Sequence, residues 1–325
     1  MSRTVLVTGG AGFIGANLAR LLVARGDRVR VLDDCSIGSL RYLDGLGVEV
    51  VVAPLADTAA VGAAIAGTDA VVHLAARAGI PDSVADPLGT FETNVAATVA
   101  LLDATRQAGV PRFVFASSNA AAGAHPPPVA EDDLPAPTSP YGASKLAGEA
   151  YCQAYAATYD LVATSLRFAN AYGPRSLHKK SVVAAWLRAA LAGEPLTIHG
   201  DGRQTRDFLF VEDVARAILA VLDAPAAAVR GERFLVGTGI ETTILDLAAA
   251  VERAIGTRLE RRFLPERPGD LRRNVGRVTK IAERLGWRAI VDLESGLAAT
   301  AAWFREALAD PELAAIRPHA ASGSE

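Results

Sequence analysis

The sequence has few of the residues that build disulfide frameworks or metal sites. Its 325 residues include two cysteines, Cys35 and Cys152, which lie too far apart in the chain to define a disulfide framework or a zinc site. The five histidines are never three or four residues apart, so no pair is spaced as metal ligands on one helix face. We therefore predict no metal site and a reducing, cytoplasmic location.

Long apolar runs and an excess of positive charge are also missing. Although 50% of the residues are hydrophobic, no stretch of about 18 residues lacks both charges and turn formers, so we expect no membrane span. The formal net charge of −3 gives no general attraction to a phosphate backbone, and acidic residues offset the basic step Lys179-Lys180. Nucleic-acid binding is therefore disfavoured.

The N-terminal half alternates short β-branched runs with alanine-rich segments of helical spacing. Near-continuous apolar strands separated by helices are typical of a parallel sheet buried on both faces. The predicted strands are Thr4–Thr8, Arg28–Leu32, Glu49–Val52, Ala70–Leu74, Arg112–Ala116 and Leu161–Arg167. The predicted helices are Phe13–Arg25, Ala59–Ala66, Pro87–Gln107 and Pro140–Tyr159. The pattern predicts a doubly wound α/β fold.

A glycine-rich segment, Gly10-Ala11-Gly12-Phe13-Ile14-Gly15, follows the first strand and opens the first helix. We expect Gly10 to permit a tight turn, Gly12 to let a pyrophosphate approach the backbone, and Gly15 to allow close packing of helix on strand. The helix N-terminus would present free N–H groups to the phosphate charge. In this strand–turn–helix context the spacing indicates a Rossmann-like dinucleotide site.

Asp33 ends the second strand, eighteen positions after Gly15. A carboxylate there can accept hydrogen bonds from an adenosine ribose. Because a second carboxylate, Asp34, follows it and arginine does not, a 2′-phosphate would be repelled, which favours NAD over NADP. The alternative is a solvated Asp-Asp turn.

The segment Ser139-Pro140-Tyr141-Gly142-Ala143-Ser144-Lys145 carries the predicted chemistry. Ser139 suits an N-cap and Pro140 the first helical position, so Tyr141 and Lys145 lie one turn apart on one helix face. A nearby ammonium lowers the pKa of a tyrosine from about 10, so that it can accept an alcohol proton near neutral pH. The lysine could also bond a nicotinamide ribose. The alternative is an ordinary surface pair.

Ser117-Ser118 follows the predicted strand Arg112–Ala116, at the carboxyl edge of the sheet where ligands bind in open α/β folds. A hydroxyl there can hold a reacting sugar oxygen or relay its proton. Two serines at a strand end are otherwise common in turns.

Beyond Arg167 the pattern becomes mixed, with a helix at Ser181–Ala192 and a strand at Leu196–His199. We interpret this part as a smaller C-terminal α/β lobe that binds substrate. The predicted division assigns residues 1–170 and 208–238 to the NAD-binding domain, residues 171–207 and 239–315 to the lobe, and residues 316–325 to a flexible tail.

The chain resembles the extended short-chain dehydrogenase/reductase superfamily, in particular its UDP-glucose 4-epimerase-like branch of NAD-dependent nucleotide-sugar epimerases and dehydratases. The resemblance runs from Thr4 to Phe304 and rests on several motifs in the right order. They are Thr8–Gly15, His73-Leu74-Ala75-Ala76, Asn94-Val95, Tyr141-x-x-x-Lys145, Arg167–Arg175, Gly200-Asp201-Gly202, Arg206-Asp207-Phe208 and Arg267-Pro268-Gly269-Asp270.

The resemblance implies a role for each matching residue. Ser118, Tyr141 and Lys145 would be catalytic. The NAD site would comprise Gly10, Gly12, Phe13, Ile14, Gly15, Asp33, Leu55, Leu74, Ala75, Ala76 and Asn94, together with Tyr141 and Lys145. The nucleotide-sugar substrate would contact Ser118, Asn119, Asn170, His199, Arg206 and Arg267. It also implies a homodimer formed through the helices beginning near Pro87 and Pro140, although the apolar residues of Pro140–Tyr159 could equally pack inside one subunit.

Two departures from the family pattern narrow the expected reaction. Family dehydratases carry an aspartate and a glutamate where this chain has Asn119 and Ala120, and neither side chain can exchange a proton as a carboxyl group does. We therefore predict an epimerase, most simply at C4 of a UDP-hexose. The alternatives are a dehydratase or a net oxidoreductase of the same superfamily, and a catalytically silent NAD-binding regulator.

Overall fold

The computed structural model describes residues 2–266 and 271–316. Its first six strands are β1 (Thr4–Thr8), β2 (Arg28–Asp33), β3 (Glu49–Val52), β4 (Ala70–His73), β5 (Arg112–Ser118) and β6 (Val162–Phe168). The later strands are β7 (Asn170–Tyr172), β8 (Leu196–His199), β9 (Thr205–Arg206), β10 (Phe208–Phe210), β11 (Arg233–Val236), β12 (Thr242–Thr243), β13 (Arg261–Leu264) and β14 (Arg273–Asn274).

The helices lie between these strands and beyond them. Those of the first half are α1 (Phe13–Ala24), α2 (Thr58–Ile65), α3 (Ile80–Ala85), α4 (Pro87–Phe91), α5 (Ala97–Gln107) and α6 (Pro140–Thr158), and a π-helical turn (Glu92–Ala96) joins α4 to α5. The others are α7 (Val182–Leu191), α8 (Val211–Asp223), α9 (Ala226–Val229), α10 (Ile244–Ile255), α11 (Thr279–Leu285), α12 (Leu293–Ala309) and α13 (Pro311–Ala314).

A seven-stranded parallel sheet forms the centre of the molecule, in the order β11-β6-β5-β4-β1-β2-β3. Its central strands β1, β4 and β6 are buried along their whole length, because helices cover both faces. One apolar cluster packs α1 and α8 on one face, and another packs α2, α5 and α6 on the other. The predicted doubly wound α/β fold is confirmed.

A third apolar cluster lies outside the sheet. It gathers residues from α7, β8, β10, α10 and α12, with Trp186, Leu247 and Phe304 among the buried side chains. Short strand pairs connect this part of the chain, including β8 with β13, and β9 with β12 and β14.

The predicted elements agree with the observed ones to within a residue or two. Strand β5 extends to Ser118, so Ser117 and Ser118 end the strand instead of following it. The predicted helix Pro87–Gln107 is interrupted by the π-helical turn that contains Asn94. Of the predicted tail 316–325, only Ile316 is among the described residues, where it is half-buried against the apolar clusters.

Candidate active site

The carboxyl ends of the central strands define one edge of the sheet at the point where strand order reverses. Strands β2 and β3 follow outward from β1 on one side, while β4, β5 and β6 follow on the other. In open sheets of this kind, ligands bind in the crevice at that edge. The structure brings the glycine-rich loop, Asp33, Leu74–Ala76 and Ser118 to this edge.

The glycine-rich loop makes the tight turn expected at Gly10, because the Gly12 N–H donates to the Gly9 carbonyl oxygen at 3.1 Å and Gly10 lies between them. Gly9 has φ +69°, and a Cβ there would lie 2.6 Å from the Ala75 backbone nitrogen. At Gly10 a Cβ would instead collide with the Val31 side chain, at 2.6 Å, so Gly10 is needed for packing against β2. The close approach expected at Gly15 is present, since a Cβ there would lie 2.3 Å from the Gly9 carbonyl oxygen.

The start of α1 fits a dinucleotide pyrophosphate. Gly12 caps the helix from extended backbone with no side-chain hydrogen bond, and the first turn holds no acidic residue. A Cβ on Gly12 would meet only the Gly9 carbonyl oxygen, at 3.2 Å, so the outer side of the loop is open. Uncapped N–H groups at a helix N-terminus are suited to an anion. Phe13 is buried beside this opening and Ile14 is half-buried.

Asp33 braces the same loop from the end of β2. Its Oδ2 accepts a hydrogen bond from the Ala11 backbone N–H at 2.9 Å, and its Oδ1 accepts one from Cys35 at 2.8 Å. Burial raises its pKa, while these two N–H groups act in the opposite direction. Its backbone carbonyl accepts a hydrogen bond from the Ala53 N–H at 3.1 Å. Half-buried Leu55 follows β3 and therefore lies at the same edge of the sheet as Asp33. The carboxylate is therefore fixed beside the loop, where a ribose would need it.

Helix α6 begins as the sequence predicts. The Ser139 hydroxyl accepts the Gly142 N–H at 3.1 Å, and Pro140 occupies the first helical position. The Tyr141 N–H donates to the buried Ser83 hydroxyl of α3 at 3.1 Å. These contacts direct the first turn of α6 toward the carboxyl end of β5.

The Ser118 side chain lies near enough to the Tyr141 phenol to lower its pKa. Burial raises the pKa of Tyr141, and the Ser118 contact lowers it only in part. The expectation that Lys145 brings this pKa toward neutral is therefore wrong for the chain alone. The Lys145 ammonium lies 5.9 Å from the Tyr141 ring centroid, but it is directed elsewhere.

Lys145 is buried one turn further along α6. Its Nζ donates to the Ala116 carbonyl oxygen of β5 at 2.8 Å and lies 4.9 Å from the Phe115 ring centroid. Burial lowers its pKa to about 8, and the Glu149 carboxylate acts against that shift. Lys145 is therefore an ammonium ion at neutral pH, and among the described residues it donates to the Ala116 carbonyl oxygen.

Asn94 is fully engaged by the protein. Its Oδ1 accepts the Arg77 N–H at 2.8 Å, while its Nδ2 donates to the Arg77 carbonyl at 3.0 Å and to the Ser144 hydroxyl at 3.1 Å. It therefore ties the segment that follows β4 to α6. Leu74, Ala75 and Ala76 are half-buried at the start of this segment, beside the glycine-rich loop.

One of the residues predicted to bind substrate lies beside Ser118, and the others lie further along the chain. Asn119 adjoins Ser118, and its Oδ1 is buried with no hydrogen-bond partner among the described residues. Asn170 is exposed and its Nδ2 donates to the Asp207 carbonyl at 3.3 Å. Arg206 donates to the Leu271 carbonyl at 2.7 Å, and half-buried His199 contacts the Pro265 carbonyl at 3.2 Å. Arg267 lies outside the described residues.

The sequence interpretation missed two groups of charged residues. The Glu149 carboxylate is buried beneath Lys145, where it accepts hydrogen bonds from Ser117 and Arg167. Lys179 places its Nζ 5.3 Å from the Phe13 ring centroid, beside the start of α1. Glu149 continues the helix face of Tyr141 and Lys145 at four-residue spacing, a signal that was present in the sequence.

The chain belongs to the NAD dependent epimerase/dehydratase family, whose family model matches residues 5–237. The UDP-glucose 4-epimerase of Mycolicibacterium smegmatis is 41% identical over 309 residues, which cover 92% of this chain and 98% of the relative. The dTDP-glucose 4,6-dehydratase of Xanthomonas campestris pv. campestris is 33% identical, with 93% of each chain covered.

A solved structure, that of the Thermus thermophilus UDP-glucose 4-epimerase in complex with NAD, superposes with a TM-score of 0.86. It is 38% identical and covers 93% of this chain and 99% of its own. The family and its dependence on NAD agree with the fold and with the open glycine-rich loop described above. Among the described residues, no helix is both long and apolar enough to cross a membrane.

Proposed function

We propose that this protein is an NAD-dependent epimerase that inverts C4 of a UDP-hexose. The observation that carries the proposal is the position of the Tyr141 phenol beside Ser118 and the buried Lys145 ammonium, at the sheet edge that also holds the glycine-rich loop. A phenol, a hydroxyl and an ammonium ion suit proton transfer at a sugar hydroxyl. The relatives that act on nucleotide sugars favour the same class of substrate.

In the proposed mechanism, Tyr141 accepts the proton of the sugar 4-hydroxyl as a phenolate, a form that the positive charges of Lys145 and of bound NAD⁺ would favour, and later returns it. Ser118 holds the same oxygen through its hydroxyl. Bound NAD⁺, held by the glycine-rich loop and Asp33, would supply reversible hydride exchange at C4, so that the net redox change would be zero. Lys145 keeps its positive charge near the phenol and thereby stabilises the phenolate. Proton transfer of this kind typically contributes about 10²- to 10⁴-fold to the rate.

The roles of the surrounding residues are part of the proposal. Gly12, Ile14, Asp33 and the segment Leu74–Ala76 would hold the cofactor, and Asn94 would fix that segment. Asn119 would accept a hydrogen bond from a sugar hydroxyl, since its Oδ1 has no partner among the described residues. The substrate diphosphate would be anchored by Asn170, Arg206 and Arg267, and His199 would contact the base. Residues 1–170 with 208–238 would form the cofactor domain, and 171–207 with 239–315 the substrate lobe.

The second candidate function is 4,6-dehydration, because a dehydratase is among the relatives. Elimination of water needs an acid and a base beyond the tyrosine. Asn119 and Ala120 occupy the two positions after Ser118, and neither has an ionisable side chain. This difference favours epimerisation.

Incubation of the purified protein with UDP-, dTDP- and GDP-hexoses, followed by NMR of the products, tests the proposal. We expect the C4 epimer of a UDP-hexose, no net NADH and NAD that copurifies with the protein. A 4-keto-6-deoxy product would establish the dehydratase instead. Stoichiometric release of NADH would establish a net oxidoreductase.

We also propose a cytoplasmic homodimer. The large exposed apolar side chains Val84, Leu88 and Phe91 lie on α3 and α4, and Tyr151 lies on the neighbouring α6. Exposed alanines, Ala143, Ala150 and Ala154, continue this apolar face along α6. Two such faces could form a four-helix interface.

Sedimentation of Leu88→Arg tests this assembly. We expect the wild-type protein to sediment as a dimer and the variant as a folded monomer, because the interface would have to bury the arginine charge. Leu134→Arg is the matched control, because Leu134 is 84% exposed and lies outside these helices. A wild-type monomer would contradict the dimer.

A further inference from the structure

Three successive turns of α6 contact the last three residues of β5. Tyr141 adjoins the Ser118 side chain, Lys145 donates to the Ala116 carbonyl, and Glu149 accepts from the Ser117 hydroxyl. The proposed function uses the first two of these contacts. Glu149 occupies the third position, directly beneath them.

Both oxygens of the Glu149 carboxylate accept hydrogen bonds from protein side chains. Its Oε1 accepts from the Ser117 hydroxyl and from Arg167 Nε at 2.8 Å. Its Oε2 accepts from Arg167 Nη2 at 2.7 Å and faces Arg233 Nη1 at 3.4 Å. Glu149 is 4% exposed and Arg167 is 0% exposed, so this is a buried ion pair that joins α6 to β6.

Stability alone does not account for this buried pair. Replacing a buried ion pair by apolar residues of similar volume is often neutral or stabilising, because both charges lose their hydration on burial. Strands β5 and β6 already pair over seven residues without help from these side chains. A role in the candidate active site therefore explains the buried Glu149–Arg167 pair better than stability does.

We propose that Glu149 is a positioning residue that acts through Ser117 and Lys145, holding the end of β5 against α6 and placing a fixed negative charge one helical turn beyond the Lys145 ammonium. It touches none of the proposed reacting atoms. Its effect on the reaction rests on the proposed function, whereas its effect on Lys145 does not.

The surroundings of Lys145 favour an electrostatic role for Glu149. Desolvation disfavours the ammonium, and the Glu149 charge is the largest of the effects that support it. Cys152 on the same helix, Tyr141 one turn before, and His73 of β4 also face Lys145. Burial leaves Cys152 a neutral thiol and His73 a neutral imidazole near pH 7, so Glu149 is the one anion among these groups.

An NMR titration of the lysine side chains tests the proposal without any substrate. The chain has four lysines, Lys145, Lys179, Lys180 and Lys280, so labelled Nζ groups give few signals. Lys145→Met identifies the Lys145 signal by its absence. In Glu149→Gln we expect the midpoint of Lys145 to fall by about one pH unit, because an opposite charge has been removed.

Two further variants separate charge from packing. Ser117→Ala removes a hydrogen bond to Glu149 but no charge, so the Lys145 midpoint should stay at the wild-type value. If Glu149→Gln fails to fold because Arg167 is left unpaired, the double variant with Arg167→Met removes both charges. The shift should keep its direction there but be smaller, because the Glu149 charge supports the Lys145 ammonium and the Arg167 guanidinium paired with Glu149 offsets part of that charge.

The kinetic consequence is a second readout. We expect the alkaline limb of kcat against pH to move toward lower pH in Glu149→Gln by the shift seen in the titration. A purely structural role would lower kcat by one factor at every pH. An unchanged Lys145 midpoint in folded Glu149→Gln would overturn the inference. If the wild-type protein turned over no nucleotide sugar, the proposed function would fail while the titration still decided the role of Glu149.

Discussion

Lys145 donates a hydrogen bond from its Nζ to the carbonyl oxygen of Ala116, at 2.8 Å. This bond holds the ammonium against the backbone of β5, 5.9 Å from the Tyr141 ring centroid. Its effect on the phenol is therefore a charge effect over a distance and not a direct hydrogen bond. The chain alone keeps the Tyr141 phenol protonated at neutral pH, since burial raises its pKa.

Removing the Tyr141 hydroxyl should abolish most of the activity. We expect Tyr141→Phe to lower kcat by about 10²- to 10⁴-fold, the usual contribution of a general base. Bound NAD should be retained, because the glycine-rich loop and Asp33 are untouched. The matched control is Tyr151→Phe on the exposed side of the same helix, which should keep wild-type kcat. Full activity in Tyr141→Phe would favour a silent NAD-binding regulator.

The pH dependence of the wild-type enzyme should report Lys145. Its pKa of about 8 means that the ammonium is present below this pH and is lost as the pH rises through it. We therefore expect kcat to decline on the alkaline side with a midpoint near 8. Lys145→Arg, which stays charged, should lack this decline whatever its residual rate. A profile that is flat to pH 10 in the wild-type protein would contradict the assignment.

The N-cap of α6 should matter for catalysis as well as for stability. Ser139→Ala and Thr243→Ala each remove one side-chain cap, from α6 and α10 respectively. Each should cost about 1 kcal/mol of stability in denaturant unfolding. Only Ser139→Ala should also lower kcat, by about 10- to 100-fold, because its helix positions Tyr141. Equal kcat values for the two variants would show that the first turn of α6 tolerates displacement.

The glycine-rich loop should be intolerant of one methyl group. In Gly15→Ala the new Cβ would lie 2.3 Å from the Gly9 carbonyl oxygen, so the loop must move and NAD affinity should fall. Gly62→Ala on α2 is the control, because its Cβ meets nothing within 4 Å. It should leave NAD binding unchanged and raise stability by about 0.5–1 kcal/mol. Calorimetry with NAD and thermal unfolding measure the two effects; unchanged affinity in Gly15→Ala would mean that the loop is not the cofactor site.

Local sequence pattern was sufficient for the elements of the sheet. The strand Glu49–Val52 and the N-terminus of α6 at Pro140 were predicted to the residue, because β-branched runs, an N-cap serine and a following proline act over a few positions. The positive φ of Gly9 was not predicted, because the close packing that requires glycine there is a long-range contact with Ala75 beyond β4.

The sequence by itself determined the doubly wound fold, the glycine-rich loop and the helix face that carries Tyr141 and Lys145, since each depends on residue types at short spacing. Only the tertiary structure decided the protonation states and hydrogen-bond partners of these side chains. The pKa of Tyr141, the acceptor of Lys145 and the burial of Glu149 with Arg167 all depend on the packing of α6 against β5 and β6. Desolvation and charge pairing arise from residues distant in the chain, and no local pattern specifies which of them meet.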